Sequence, residues 1–196
     1  MENICYYKKS EKRIGLSKKE RSNMFKVGDY VVNGPNGVCK VEKIGTMELG
    51  GVESDKQYYT LLPLYTKGSQ VFTPVDNKKV VLRSVISKQE ACNLIDEMRD
   101  IEEIVVTDDK KRELAYKEAI KSCDCREFIR IINTVLRRKE ERLAAGKKMS
   151  ACDERYLKQA KDNLYGEFAV SLKLAKDEVE DYVEHRIALK DMASAS

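Results

Sequence analysis

The sequence predicts an α+β fold: a small antiparallel β-barrel followed by an α-helical bundle. Residues 25–86 break into five short apolar runs separated by turn residues. From residue 87 the apolar period lengthens to that of a helix. The chain has 196 residues, 42% of them hydrophobic, with only Gly 10 and Pro 3, which excludes linker-like and collagen-like composition and leaves room for one large domain or two small ones.

Residues 1–23 are polar, rich in Lys and Ser, and aperiodic, so they read as a disordered extension, with Met24 as the natural start. The predicted strands are Phe25–Val32, Gly37–Ile44, Gln57–Leu64, Gln70–Pro74 and Lys79–Ile86. The turn signals between them are Asn33-Gly34-Pro35-Asn36-Gly37, Gly50-Gly51, Lys67-Gly68 and Asp76-Asn77. Partial alternation in Val38–Ile44 is the pattern of a sheet with one wet face. Short, evenly spaced strands of this kind suit a curled antiparallel barrel. Pro63 and Pro74 belong at edges or bulges, because proline cannot donate to the ladder.

Ser87 and Glu90 have capping-box spacing, and Ala91, Leu94, Ile95 and Met98 follow on one face. Thr107-Asp108-Asp109 places a cap and two acids at the start of a second helix that reaches Lys121. Asp124 and Glu127 open a third, with Phe128, Ile131, Ile132, Val135 and Leu136 as its apolar stripe. Ser150 caps a fourth, carrying Leu157, Ala160, Leu164, Phe168 and Leu172. A fifth carries Val179, Tyr182, Val183 and Ile187. The expected division is a barrel over 24–86, helices sharing one core over 87–190, and a tail over 191–196.

The net charge of +4 carries no information about the folded part, since residues 1–23 hold seven Lys/Arg against three Asp/Glu and the remainder holds 30 of each sign. No apolar run approaches the roughly 18 residues of a membrane span. The first residues also lack the apolar stretch of a secretory signal, so a soluble cytoplasmic protein is expected. The six Cys are then expected as thiols. Cys123-Asp124-Cys125 with distant Cys152 lacks the spacing and the ligand count of a zinc site. Cys125 falls at a helix N-terminus, a position that lowers a thiol pKa, yet inert structural thiols are the expectation for these cysteines. His185, the single histidine, reads as a surface residue, and Gly34-Pro35-Asn36-Gly37 is a turn rather than a phosphate loop. Catalysis has no support in these residues, and no cofactor or metal is expected.

The strongest local signal is a charge block: residues 110–148 hold thirteen Lys/Arg and six Asp/Glu. Several cations on one surface are what phosphate binding requires. The same pattern also describes a solvated helix face with ordinary pairs such as Arg137–Glu141. Arg126, Arg130 and Arg137 share the solvent side of the third helix. The barrel is either scaffold or a partner-binding module whose open edge adds a strand to another sheet.

Taken in order, three groups of residues resemble the CarD family of bacterial transcription regulators, including its CdnL-type members. The first is Phe25-Lys26-Val27-Gly28-Asp29-Tyr30-Val31-Val32 followed by Gly37-Val38. The second is Thr73-Pro74-Val75-Asp76-Asn77 with Leu82-Arg83-Ser84-Val85-Ile86-Ser87. The third comprises Lys111-Arg112-Glu113, Leu136 to Arg142, Ser150 to Leu157, and Leu164-Tyr165-Gly166-Glu167. The resemblance spans about residues 24–190. It implies a Tudor-like N-terminal barrel that binds the RNA polymerase β subunit, and a helical domain that contacts promoter DNA at the upstream edge of the melted bubble and stabilises the open complex. It maps polymerase contacts to Lys43, Ile44, Met47, Val71 and Phe72. DNA contacts map to Lys110, Lys111, Arg112, Arg137, Arg138 and Arg155.

Two departures stand out. Many members place a minor-groove Trp just before these basic residues, whereas this chain has no Trp and carries Asp109 there. Met47 and Phe72 stand where some relatives use Arg against the polymerase, so contact there is expected to be apolar and made by the backbone.

Overall fold

The computed structural model describes residues 25–49, 52–66 and 68–194, with side chains described outside 47–49, 52–55 and 194. The extension at 1–23 and the proposed start at Met24 lie outside the described residues. Five strands form one antiparallel sheet: β1 (Tyr30–Asn33), β2 (Val38–Leu49), β3 (Val52–Pro63), β4 (Val71–Pro74) and β5 (Leu82–Ser84). Their order is β4-β3-β2-β1-β5, so β4 and β5 are the edges and the sheet is not closed. It is nonetheless strongly curled. Asn33 Nδ2 on β1 donates to Thr73 Oγ1 on β4 at 3.2 Å, although a flat sheet would hold strands three places apart at about 14 Å.

The expected strand limits shift for local reasons. Residues 25–29 form a turn, not the start of a strand: Asp29 Oδ2 accepts the Lys26 N–H at 2.7 Å, and Gly28 adopts φ +96°, which suits glycine. β2 and β3 run to Leu49 and from Val52, pairing Leu49 with Val52 around the Gly50-Gly51 signal. β5 is shorter than expected because Asn77 Oδ1 accepts the N–H groups of Lys79 and Val80, holding that segment as a turn. A register shift between Val41 and Lys43 leaves Glu42 and Lys43 both exposed and returns Ile44 to the inner face. Pro74 sits on an edge strand and Pro63 at the last position of β3.

Helices α1 (Lys88–Glu97), α2 (Asp109–Ser122), α3 (Cys125–Ala144), α4 (Ala151–Leu172) and α5 (Val179–Ser194) follow. Ser87 and Glu90 form the expected capping box, and Asp108, Asp124 and Ser150 cap α2, α3 and α4 through their side chains. α5 continues through Ser194, past the point where a tail was expected. One apolar cluster draws residues from every helix, including Ile95, Tyr116, Ile129, Ile132, Leu164, Phe168 and Val183. On α3 the stripe differs at its end: Ile129 is fully buried and Leu136 is exposed. From residue 136 to 148 no position of α3 or the following loop is buried, so the core side of that helix ends at Val135.

The sheet uses both faces. Val31, Cys39, Val41, Tyr59 and Leu61 form its own small core. Val32 and Val38, on the opposite face, pack with Cys123 from the end of α2. The continuous apolar run Tyr30-Val31-Val32 therefore serves two cores at once.

Candidate functional site

The basic end is built on a buried carboxylate. Asp153 lies in the first turn of α4 and is fully buried. It accepts from Ser150 Oγ at 2.7 Å and from Tyr116 Oη at 3.5 Å. Arg112 Nε stands 3.8 Å from one of its oxygens and Arg138 Nε 3.5 Å from the other. A buried carboxylate persists only with such partners. Burial, followed by the Asp153 charge, pushes the Tyr116 phenol up to about 12.

Arg112, one of the expected DNA contacts, is engaged within the protein. It is 5% exposed and points inward, bonding Asp109 through Nη2, and is not a free surface cation. That bond, together with the charges of Arg112, Arg138 and Arg142, holds the Asp109 carboxyl below the usual carboxylate range. Arg138 is half-buried against Asp153. Arg137 is paired with both Glu103 and Glu141, the latter as its spacing suggests. Arg155 bonds Glu113 at 2.6 Å and lies 4.8 Å over the Tyr156 ring. Lys110 and Lys111 are exposed in the first turn of α2, without an acidic partner among the described residues. The solvent-side stripe on α3 is likewise engaged, Arg126 by Glu97 and Arg130 by Glu127. Glu97 and Glu103 lie about thirty residues before their arginines, so no local spacing reveals those pairs.

On the sheet, β4 leaves one edge unpaired among the described residues. The pleat divides the residues expected to face the polymerase. Thr60 pairs with both Lys43 and Phe72, which places these three in a row on the outer face, with Phe72 45% exposed. Ile44 and Val71 pair with Tyr59 and Leu61 and pack against the small core instead. The Met47 side chain lies outside the described residues. Gln70 Nε2 donates to Glu42 Oε2 at 3.2 Å, tying the lead-in of β4 to β2.

Between the sheet and α4 runs a seam that the sequence reading missed. Glu167, in the last third of α4 and 1% exposed, accepts from Arg83 Nη1 at 2.5 Å and Nη2 at 2.7 Å. It also accepts the Ile86 N–H at 3.0 Å and the Cys125 thiol at 3.3 Å. Arg83 Nε further donates to the Cys123 carbonyl at 3.1 Å. Burial works against the Arg83 charge, but the bond and charge of Glu167 outweigh it and raise its pKa. Ser171 Oγ donates to the Ile86 carbonyl at 2.7 Å, and Tyr65 Oη to the Gly166 carbonyl at 2.9 Å. A Cβ on Gly166 would lie 2.9 Å from Tyr65 Cε2, so glycine is what allows this approach. The signal available in the sequence was a Gly-Glu pair set among the apolar residues of α4.

Cys125 fits the inert structural thiol expected of it. Although it opens α3, burial first, and then the Glu167 carboxylate, push its thiol up, outweighing the helix N-terminus. Among the described residues no group of three or more His, Cys, Asp or Glu could hold a metal ion, and no helix is long and apolar enough to cross a membrane.

The seam joins two segments that match different parts of one known family. Residues 25–86 match the CarD-like/TRCF RID domain, and residues 93–184 match the CarD C-terminal domain. Arg83 lies in the first match and Glu167 in the second, as do β4 and the basic end respectively. With both domains present in order, the chain belongs to the CarD/CdnL-type family of transcription-related, RNA polymerase-interacting proteins.

Proposed function

We propose that the protein bridges the RNA polymerase β subunit and promoter DNA, stabilising the open complex from the upstream edge of the bubble. On this reading it is a non-enzymatic regulator of transcription initiation that works in the cytoplasm without a cofactor, through a Tudor-like N-terminal domain and a bundled helical domain. The observation that carries the reading is the Arg83–Glu167 pair, which ties β5 of the sheet to α4, the helix whose first turn carries Asp153 of the basic end. A partner held at one end then sets where the other end lies.

The free edge of β4 adds a strand to the polymerase by backbone hydrogen bonding, with exposed Phe72 and neighbouring Lys43 flanking it. Lys110 and Lys111 supply the primary phosphate contacts, with Arg137 and Arg155 beside them. So few free cations neutralise few phosphates, which makes DNA affinity modest and dependent on salt. Tethering through the polymerase raises the effective DNA concentration and compensates.

The test uses the full chain. Charge reversal at Lys110 and Lys111 should weaken binding to bubble-containing duplex about ten-fold at low salt and leave the melting temperature unchanged. Unchanged binding sinks the DNA role, and failure of the chain to retain purified β subunit sinks the polymerase role. A second reading, a polymerase-binding module without DNA contact, is favoured by the pairing of Arg112, Arg137, Arg138 and Arg155 with acids. It predicts no response to bubble DNA even at low salt.

A further inference from the structure

We propose that Arg112, Arg138 and Arg142 form a site for a phosphate of a nucleic-acid backbone, which the chain's own Asp109 fills until the nucleic acid displaces it. The inference rests on the DNA contact proposed above and identifies what controls that contact.

Arg112 presents three nitrogens. Nε faces the buried Asp153 at 3.8 Å, and Nη2 donates to Asp109. Nη1 is buried and has no hydrogen-bond partner among the described residues. Nη1 and Nη2 sit on one carbon and form a fork that fits two oxygens of a single anion. Asp109 therefore engages half of a two-pronged donor, and the other half is an unsatisfied donor of the kind that folded proteins rarely leave. Arg138 Nε also makes no hydrogen bond and has only the 3.5 Å ion pair with Asp153.

The two carboxylates in this cluster differ in mobility. Asp153 is fully buried, tied to Ser150 and Tyr116, and cannot leave. Asp109 is 85% exposed in the first turn of α2, and the helix is capped by Asp108, so turning Asp109 outward leaves the helix start intact. Once Asp109 leaves, Asp153 is the one carboxylate left paired with Arg112 and Arg138. Arg142 Nε donates to the Lys148 carbonyl at 2.7 Å, which limits the movement of its side chain. Arg138 and Arg142 are one helical turn apart on α3, and both act electrostatically on Asp109. The ligand is assigned as a phosphodiester because exposed Lys110 and Lys111 follow Asp109 directly, providing for further phosphates of the same strand.

The experiment measures fluorescence anisotropy of bubble-containing duplex with full-length wild type, Asp109→Asn and Glu113→Gln. Glu113→Gln is the stringent control: it removes the same charge one turn along α2 and releases Arg155. Asp109→Asn should bind roughly ten-fold tighter at low salt, with a log–log salt slope steeper by about one, reflecting one more neutralised phosphate. Glu113→Gln should gain clearly less. An equal gain in both variants means bulk charge alone and overturns the site, as does no gain in Asp109→Asn while wild type binds. Binding by Asp109→Asn when wild type shows none upholds the site and refutes DNA contact by the resting protein. Absence of binding in all three proteins overturns both.

Discussion

Replacing Glu167 by Gln tests whether the seam holds the two halves together. The substitution changes almost no volume, so packing is preserved and only hydrogen-bond chemistry is altered. One carboxylate oxygen becomes an NH2 donor among Arg83, the Ile86 N–H and the Cys125 thiol, which are themselves donors. The uncompensated charge is Arg83, whose side chain is 29% exposed and retains the Cys123 carbonyl, so water relieves part of the loss. That places the cost at the low end for breaking a buried pair, about 3 kcal/mol. For a chain of this size the corresponding fall in melting temperature is roughly 6–12 °C, read by calorimetry. A double-mutant cycle with Arg83→Gln should return a coupling of about 2 kcal/mol, because each single change already removes the shared interaction. A melting temperature within about 2 °C of wild type, or coupling under about 0.5 kcal/mol, would refute the assignment of Glu167 as the anchor.

Gly166→Ala should destabilise the native chain by about 1 kcal/mol, since displacing the Tyr65 ring outweighs the helix-propensity gain. In a Tyr65→Ala background the same change should stabilise by a similar amount, and urea unfolding that shows one sign in both backgrounds counts against the contact. Cys125 is 3% exposed with its thiol pushed up, so a thiol reagent at pH 8 should label the partly exposed Cys152 well before Cys125, which it reaches only on unfolding; early modification at Cys125, located by peptide mapping, contradicts this. Asp96 is held below its ordinary 3.8 by the bond and charge of Arg186, which links α1 to α5. Because its folded pKa is depressed, its stabilisation is complete above the ordinary value and is lost as pH falls below it. Wild type should therefore lose its stability advantage over Asp96→Asn across that acid window, and parallel acid-unfolding curves would exclude the linkage. Tyr116 and Tyr165 are both pushed up to about 12, so absorbance titration of the folded protein should leave at least two tyrosines un-ionised near pH 11.

The helices were legible in the sequence because their signals are short-ranged. A cap such as Asp108 or Ser150 acts within three residues, and the apolar period of α3 repeats within four. The sheet was legible in number and order of strands, but less so in extent, since the turns at Asp29 and Asn77 are built from side-chain bonds that strand propensity does not register. The positive charge of residues 110–148 was legible along the chain, but a run of Lys and Arg does not show which of them find acids.

Local chemistry in the sequence thus determined where helices begin, which runs are strands, and that residues 110–148 carry the positive charge. Tertiary structure alone decided that Arg112 turns inward to Asp153, that Cys125 is buried against Glu167, and that Phe72 faces out while Val71 faces in. It alone joined Arg83 to Glu167 across 84 residues. The physical reason is range. Capping and periodicity are satisfied within one helical turn, whereas the burial of a charge and the identity of its partner depend on segments that meet only once the chain has folded.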